Sequence, residues 1–393
     1  MQSSTELRRQ YLTNARRLVV KVGTNVLASP GKPLDEARID AVSEQISRLV
    51  EGGREVVLVS SGAIGAGMAE LGLSERPQTL PQLQAAASVG QGRLLSHYEH
   101  SFHRHGLHAG QMLLTREDFD ARDRYLNANN TIHALLDCGC VPVINENDTV
   151  STDEIRFGDN DTLAALVTHL VRAEVLILLS SVPGLIARTP VPEAVLSTHP
   201  RADTGGMDGS VADVVERVDK DVVALCTGRT SPTGTGGMES KLEAARIATA
   251  AGEAALIADG RAEDVLLRVT NGEPLGTLFL PVSEKLESRK RWIRFTSRPR
   301  GAVLVDAGAA RAVREGGKSL LPSGVTEVKG RFDSGDVIRI KGPDGEEVAR
   351  GLSNYSSREI QRIKGLNTAE IEGVLGHKYY DEIVHRDNMA LLG

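Results

Sequence analysis

The sequence predicts an α/β fold, a largely parallel central sheet with helices on both faces, followed by a small mostly-β domain. Three observations lead there. Through roughly the first 260 residues, short unbroken apolar runs recur, each ending in Gly, Ser, Asn or Asp. Between them lie segments with apolar residues at helical spacing, the alternation expected of parallel strands covered on both faces. Beyond about residue 280 the pattern changes to short strands divided by turn signals.

The first apolar run is LVVKVG (18–23). After it, ARIDAVSEQISRLVEGG places Ile39, Val42, Ile46, Leu49 and Val50 on one helical face, and Gly52-Gly53 stops the helix. EVVLVSSG (55–62) is the next strand and enters a helix at AIGAGMAELG. GLHAGQMLL (106–114) and CVPVINEND (140–148) follow as strands, with LNANNTIHALLDCG between them as a helix. TLAALVTHLVRA (162–173) puts Leu163, Leu166, Val167 and Leu170 on one face; EVLILLS (174–180) is a buried strand, and AALIADG (254–260) closes the series. In open sheets of this kind ligands sit beyond the carboxyl ends of the strands, where this chain concentrates its small and polar residues. Three domain segments follow: 1–280, a basic Pro/Ser-punctuated linker at 281–295, and 296–393. In the last, turn signals such as FDSGD and GPDGEE separate the strands.

Composition narrows the function. The chain has 393 residues, 40% of them hydrophobic and 25% charged, which fits a packed soluble body. A net charge of −6 gives no electrostatic reason to expect nucleic acid. The three cysteines, Cys138, Cys140 and Cys226, form neither a disulfide framework nor a metal set, and read as ordinary buried thiols in a reducing compartment. The first 17 residues lack the apolar core of a secretory signal, and no apolar run reaches the roughly 20 residues a membrane helix needs, so a cytoplasmic location is expected.

Several residues could carry chemistry. Lys21 lies near the end of the first strand beside Gly23, where an ammonium needs a partner and could meet a phosphate; snorkelling to solvent is the other reading. The SSGAIGAG junction (60–67) offers hydroxyls and free amides to an anion but lacks GxGxxG spacing. Asn145, Asn147, Asp148, Asn160 and Asp161 cluster after one strand and before a helix, more amides and carboxylates than capping requires. They suit a ligand with ammonium and carboxylate groups, and can orient lysines. GTGGMESKLEAARIATAAG (234–252) has the glycines, lysine and following helix of a phosphate site without the GxxxxGK[ST] pattern. There Lys241 opposes the helix dipole unless something negative sits nearby. The histidines of HRHGLH (103–108) have no carboxylate or cysteine at ligand spacing and read as a solvated helix end. No GxSxG or HExxH occurs, which removes the usual hydrolase handles.

Read together and in order, VVKVGTNVL, VVLVSSGAIGAG, VPVINENDTV, FGDNDTLAALV and GTGGMESKL closely resemble the glutamate 5-kinases of the amino-acid kinase family. The likeness runs from about residue 16 to the end, and the C-terminal module is similar to a PUA domain. The resemblance implies an amino-acid kinase fold and phosphorylation of the side-chain carboxylate of L-glutamate by ATP with Mg²⁺, the first step of proline biosynthesis. It implies Lys21 and Lys241 as phosphate-stabilising lysines, Asp161 as the aspartate that organises them, and Ser61, Asp148 and Asn160 as substrate-binding residues. The nucleotide side would include Lys21, Gly23, Ser180, Ser181, Gly236, Gly237, Met238 and Lys241, with magnesium held mainly by the nucleotide's phosphates rather than by a dedicated site. The resemblance also implies proline as feedback inhibitor, a homodimer or homotetramer, and contact with the next enzyme of proline biosynthesis. One stretch departs from the family pattern: LLSSVPGLIARTP has Ser180-Ser181 where Thr-Asp is usual, and Ile186 in place of a tyrosine. Two alternatives remain at this point, a kinase of the same fold acting on another carboxylate or carbamate, and an RNA-binding regulator with a degenerate kinase domain.

Overall fold

A computed structural model describes residues 3–151, 160–187, 192–199, 210–225, 237–282, 290, 293–294, 297–315 and 317–392. The chain divides into two compact units, Met1–Lys285 and Leu286–Gly393.

The first unit is built on a ten-stranded sheet whose main path runs β3-β4-β2-β1-β5-β9-β10-β8-β6, with β7 paired to β8. Its strands are β1 (Arg17–Val22), β2 (Glu55–Ser60), β3 (His108–Leu114), β4 (Cys140–Glu146), β5 (Val175–Ser180), β6 (Ile186–Ala187), β7 (Val195–His199), β8 (Ser210–Val215), β9 (Ala254–Asp259) and β10 (Thr277–Phe279). The six strands from β3 to β9 pair in parallel. The far side differs from the expected series. AALIADG does not close the sheet, because β10 adds antiparallel to β9, and β6 and β7 pair antiparallel with β8. These edge strands are short and lack a long apolar run, so periodicity alone does not reveal them.

Six principal helices cover the sheet: α1 (Glu36–Glu51), α2 (Ala63–Glu70), α3 (Leu80–His103), α4 (Arg122–Asp137), α5 (Asn160–Val171) and α6 (Met238–Ala250). In α1 the Asp35 side chain caps the start by accepting from the Ala37 amide, and Gly53 with φ 82° ends the turn. Ile39, Val42, Ile46 and Leu49 face the core as the spacing predicts. The 24-residue α3 was not among the predicted elements. Its apolar face is broken by Gly90 and Gly92, which weaken the helical pattern. Gly90 and Gly67 are there for packing. A Cβ on Gly90 would lie 1.8 Å from the Ala63 carbonyl oxygen, and one on Gly67 would lie 1.7 Å from that of Ala86. Helices α2 and α3 therefore touch backbone to backbone.

Helix α5 also departs from its pattern. Leu163, Leu166, Val167 and Leu170 are buried, but so are Thr168 and His169 on the face expected to meet solvent. The helix packs against strands on one side and against α4 and α6 on the other. His169 is accommodated because its Nδ1 lies 2.8 Å from a Glu253 carboxylate oxygen, both residues being fully enclosed. The N-terminal residues fold onto the same unit: Arg8 is buried and its Nε donates to Asp213 Oδ1 at 2.9 Å.

Two cysteine expectations are corrected. Cys138 is exposed and Cys140 half-buried, since they flank the tight turn between α4 and β4 rather than a core position. Cys226 lies outside the described residues.

The second unit has a five-stranded sheet in the order β12-β11-β13-β14-β15. Its strands are β11 (Gly301–Val305), β12 (Val325–Gly330), β13 (Val337–Lys341), β14 (Glu347–Leu352) and β15 (Met389–Leu391). They enclose a core of their own that includes Val303, Ile338, Ile340, Val348, Ile360 and Ile383.

Candidate active site

Strands β1, β2, β4 and β5 end on the same side of the sheet, and the candidate residues gather beyond those ends. Lys21 is the fifth residue of β1, in register between Val59 of β2 and Leu178 of β5. Its Nζ lies 2.5 Å from Asp161 Oδ1. From the opposite side Lys241, on the first turn of α6, places its Nζ 3.1 Å from Asp161 Oδ2. Ser240 adds a hydroxyl hydrogen bond to the same oxygen at 2.8 Å. Asp161 is completely enclosed, and both lysines are about 95% covered, with 4% and 6% exposure.

Burial alone would push the Asp161 carboxyl up. The charges of Lys21 and Lys241, with hydrogen bonds from Lys21 and Ser240, overcome that and hold it at about 2. The carboxylate is therefore charged at any working pH, and the cluster of two ammoniums and one carboxylate carries one net positive charge. Lys241 was expected to answer a phosphate because it opposes the helix dipole. In the structure its negative partner is Asp161, so a carboxylate of the chain already meets that electrostatic demand.

A second cluster adjoins the first through the chain itself, since Asn160 precedes Asp161. The Asn160 Nδ2 group faces Asn145 Oδ1 at 2.8 Å, Ser61 Oγ at 3.0 Å and the Ser60 carbonyl at 3.1 Å. Asn145 Oδ1 also accepts from the Glu146 amide at 2.9 Å, and Asn145 Nδ2 donates to Gln91 Oε1 at 2.7 Å. Ser60 Oγ donates to the Ser61 carbonyl at 3.0 Å, which leaves the Tyr98 hydroxyl to donate to Ser60 Oγ at 2.9 Å. Burial pushes the Tyr98 hydroxyl above its ordinary range, so it stays a neutral donor. Asp148 stands half-buried in the turn after β4, which Asn147 closes by accepting from the Val150 and Ser151 amides at 3.2 and 3.1 Å.

The remaining candidates lie around these clusters. Gly23 follows β1; a Cβ there would sit 3.4 Å from Lys21 Nζ, so glycine keeps the lysine's surroundings open. Ser180 ends β5, one residue past Leu179, the register partner of Val22, and its carbonyl accepts from the Gly260 amide at 2.8 Å. Gly237 caps α6 without a side-chain hydrogen bond and Met238 is the first residue of that helix. Gly236 lies outside the described residues, as does Gly234.

Comparison with known proteins places the chain in a family. Residues 16–259 match the family model described as the amino acid kinase family, and residues 301–375 match that of the PUA domain. A protein of Citrifermentans bemidjiense named glutamate 5-kinase is 47% identical over 386 residues, covering 98% of this chain and 100% of its own. Another so named, from Moorella thermoacetica, is 47% identical over 385 residues, covering 98% of each. The chain belongs to the amino acid kinase family, in its glutamate 5-kinase branch. Among solved structures, the carbamate kinase of Giardia lamblia bound to AMP-PNP covers 68% of this chain and 99% of its own at 17% identity, with a TM-score of 0.45.

Within the kinase domain, the structure brings together Lys21, Asp161 and Lys241, three residues from three motifs, and separately joins Ser61 to Asn160. It also adds residues that the motifs did not single out. Ser240 and Tyr98 were passed over because an isolated hydroxyl has many ordinary roles. Gln91 had one visible signal: a polar residue among small and apolar ones (Ala86, Ala87, Gly90, Leu94) in the middle of what folds as a helix. Gly62 and Gly67 each meet a backbone need of their own. Gly62 has φ 110° at the start of α2, and Gly67 sits at the helix contact.

Proposed function

We propose that this chain transfers the γ-phosphoryl group of MgATP to the side-chain carboxylate of L-glutamate, giving L-glutamyl 5-phosphate and ADP, the first step of proline biosynthesis. The observation that carries the reading is the fully enclosed Asp161 carboxylate shared by lysines from two distant strand and helix ends. A carboxylate substrate is already a nucleophile, so the site needs neither a base nor a covalent intermediate. Its work is to align two anions in line and to offset the charge of the transferring phosphoryl. In this reading Lys21 and Lys241 supply the positive charge at the phosphoryl group. Asp161 fixes both ammoniums so that little reorganisation is needed at the moment of transfer. Magnesium enters with the nucleotide as part of the substrate. Among the described residues no group of three or more His, Cys, Asp or Glu could hold a metal ion.

Ser61, Asp148 and Asn160 bind L-glutamate in the same reading, and Gly23, Ser180, Ser181, Gly236, Gly237 and Met238 line the nucleotide side. The domain division follows from it too: a kinase domain through about residue 280, a basic linker, and a PUA domain. From the family resemblance come proline as feedback inhibitor, a homodimer or homotetramer, a cytoplasmic location and contact with the next enzyme of the route. Among the described residues no helix is long and apolar enough to cross a membrane.

The direct test incubates purified protein with MgATP, L-glutamate and hydroxylamine and measures γ-glutamyl hydroxamate, which traps the unstable acyl phosphate. Product that requires both ATP and L-glutamate is the expected outcome. Its absence with folded protein would overturn the assignment and direct attention to other small acids.

A further inference from the structure

Helix α3 carries a polar stripe at seven-residue spacing, and each of its three members reaches a segment bearing one of the proposed glutamate contacts. Gln84 Nε2 donates to the Ser151 carbonyl at 3.0 Å, closing the turn that holds Asp148. Gln91 Oε1 accepts from Asn145 Nδ2 at 2.7 Å, and Asn145 in turn holds Asn160. The Tyr98 hydroxyl meets Ser60 Oγ at 2.9 Å, directly before Ser61. Seven residues make nearly two full helical turns, so the three side chains share a face and stand about 10 Å apart along the axis.

The amide directions along this network are set by backbone groups that can act in only one sense. The Glu146 N–H can only donate, so the Asn145 atom it meets at 2.9 Å is oxygen. The other end of the Asn145 amide is then a donor, and Gln91 receives it with its oxygen. The Ser60 carbonyl can only accept, so Asn160 turns its nitrogen inward. None of these bonds engages Asn160 Oδ1. An amide held in this sense offers an acceptor to a ligand, which matches an ammonium and not a second carboxylate.

We propose that Gln91 is a positioning residue that sets selectivity for an α-amino acid substrate, acting through Asn145 to hold Asn160 with its carbonyl oxygen presented to the substrate's ammonium group. This inference rests on the glutamate-kinase reading above. Gln91 itself touches no reacting atom. Without its acceptor, Asn145 keeps the Glu146 amide bond that sets its sense but loses the bond that anchors its donor end. Asn145 Oδ1 then holds Asn160 less firmly in place, while the Ser60 carbonyl still sets which end of Asn160 turns inward.

The test compares Gln91→Met, which keeps length but removes the acceptor, with Gln91→Glu, whose carboxylate can accept as Gln91 Oε1 does. Steady-state hydroxamate kinetics are measured with L-glutamate and with glutarate, which lacks the ammonium. Gln91→Met is expected to raise KM for L-glutamate about tenfold with kcat within threefold and KM for ATP unchanged. Its preference for L-glutamate over glutarate should fall by a similar factor, and Gln91→Glu should restore most of it. Gln91→Leu, which also lacks the acceptor but is shorter, should show the same KM-specific loss, so the idea stays testable if Gln91→Met does not fold. Unchanged discrimination in Gln91→Met, or parallel losses for both substrates and ATP, would overturn the proposal. Wild-type protein run alongside separates the two levels. If it makes no hydroxamate, the kinase reading fails; if it does and the variants match it, only the role of Gln91 fails.

Discussion

Replacing Asp161 with asparagine keeps the shape of the side chain and removes one negative charge at the centre of the site. In the folded protein that charge meets Lys21 Nζ at 2.5 Å and Lys241 Nζ at 3.1 Å, with Ser240 Oγ at 2.8 Å. An asparagine leaves two ammoniums in an enclosed space with no anion between them, and the net charge of the cluster rises from one to two. Breaking a buried ion pair by removing one partner costs about 3–5 kcal/mol, although displacement of a lysine toward solvent would recover part of it. For catalysis, losing the fixed orientation of the charged donors should lower kcat about 100- to 1,000-fold, the scale of removing one preorganised donor. KM for ATP should stay level or fall, because the site becomes more positive while the nucleotide remains anionic. A general loss of structure would raise it.

The acid limb gives a second readout. Asp161 is held at about 2 in the folded chain against an ordinary 3.8. A depressed carboxylate contributes stability that is present above its unfolded value and lost as pH falls through its folded one. The contribution is about 2 kcal/mol at neutral pH and should disappear between pH 4 and 2. Urea unfolding across that interval should therefore show a steeper loss in wild type than in Asp161→Asn. If Asp161→Asn is folded, turns over within threefold of wild type and keeps the wild-type acid slope, the shared carboxylate is not what organises the lysines.

Three further outcomes are expected. Lys241→Ala should lower kcat about 100- to 1,000-fold with KM for L-glutamate little changed, measured by hydroxamate formation; near-normal turnover would refute its placement at the phosphoryl group. Gly90→Ala should destabilise the first unit by about 1–3 kcal/mol or more in urea unfolding. Its new methyl would land 1.8 Å from the Ala63 carbonyl and 2.3 Å from the Gly67 amide, and neither backbone group can step aside. A chain ended at Lys285, where the first unit closes, should retain most phosphoryl transfer in the same assay. Complete loss in a still-folded fragment would show that the second unit takes part in the chemistry.

The local pattern of the sequence determined the parallel half of the sheet, since strands such as β1, β2 and β5 are unbroken apolar runs whose period and length admit few other states. It also determined the chemical inventory: Lys21, Asp161 and Lys241 each stand at a strand or helix end where small residues leave the backbone accessible. Pattern did not reach the antiparallel edge at β6, β7 and β10, because short strands owe their existence to the partner beside them rather than to their own composition. Nor could it show that α5 is enclosed on every side, since burial of His169 depends on Glu253, more than 80 residues away in the chain. The same limit hid the stripe of α3. Gln84, Gln91 and Tyr98 are unremarkable polar residues until tertiary packing sets that helix across the ends of β2 and β4. Hydrogen bonds act over about 3 Å of space and carry no trace in sequence separation, so only the fold decides which distant groups become partners.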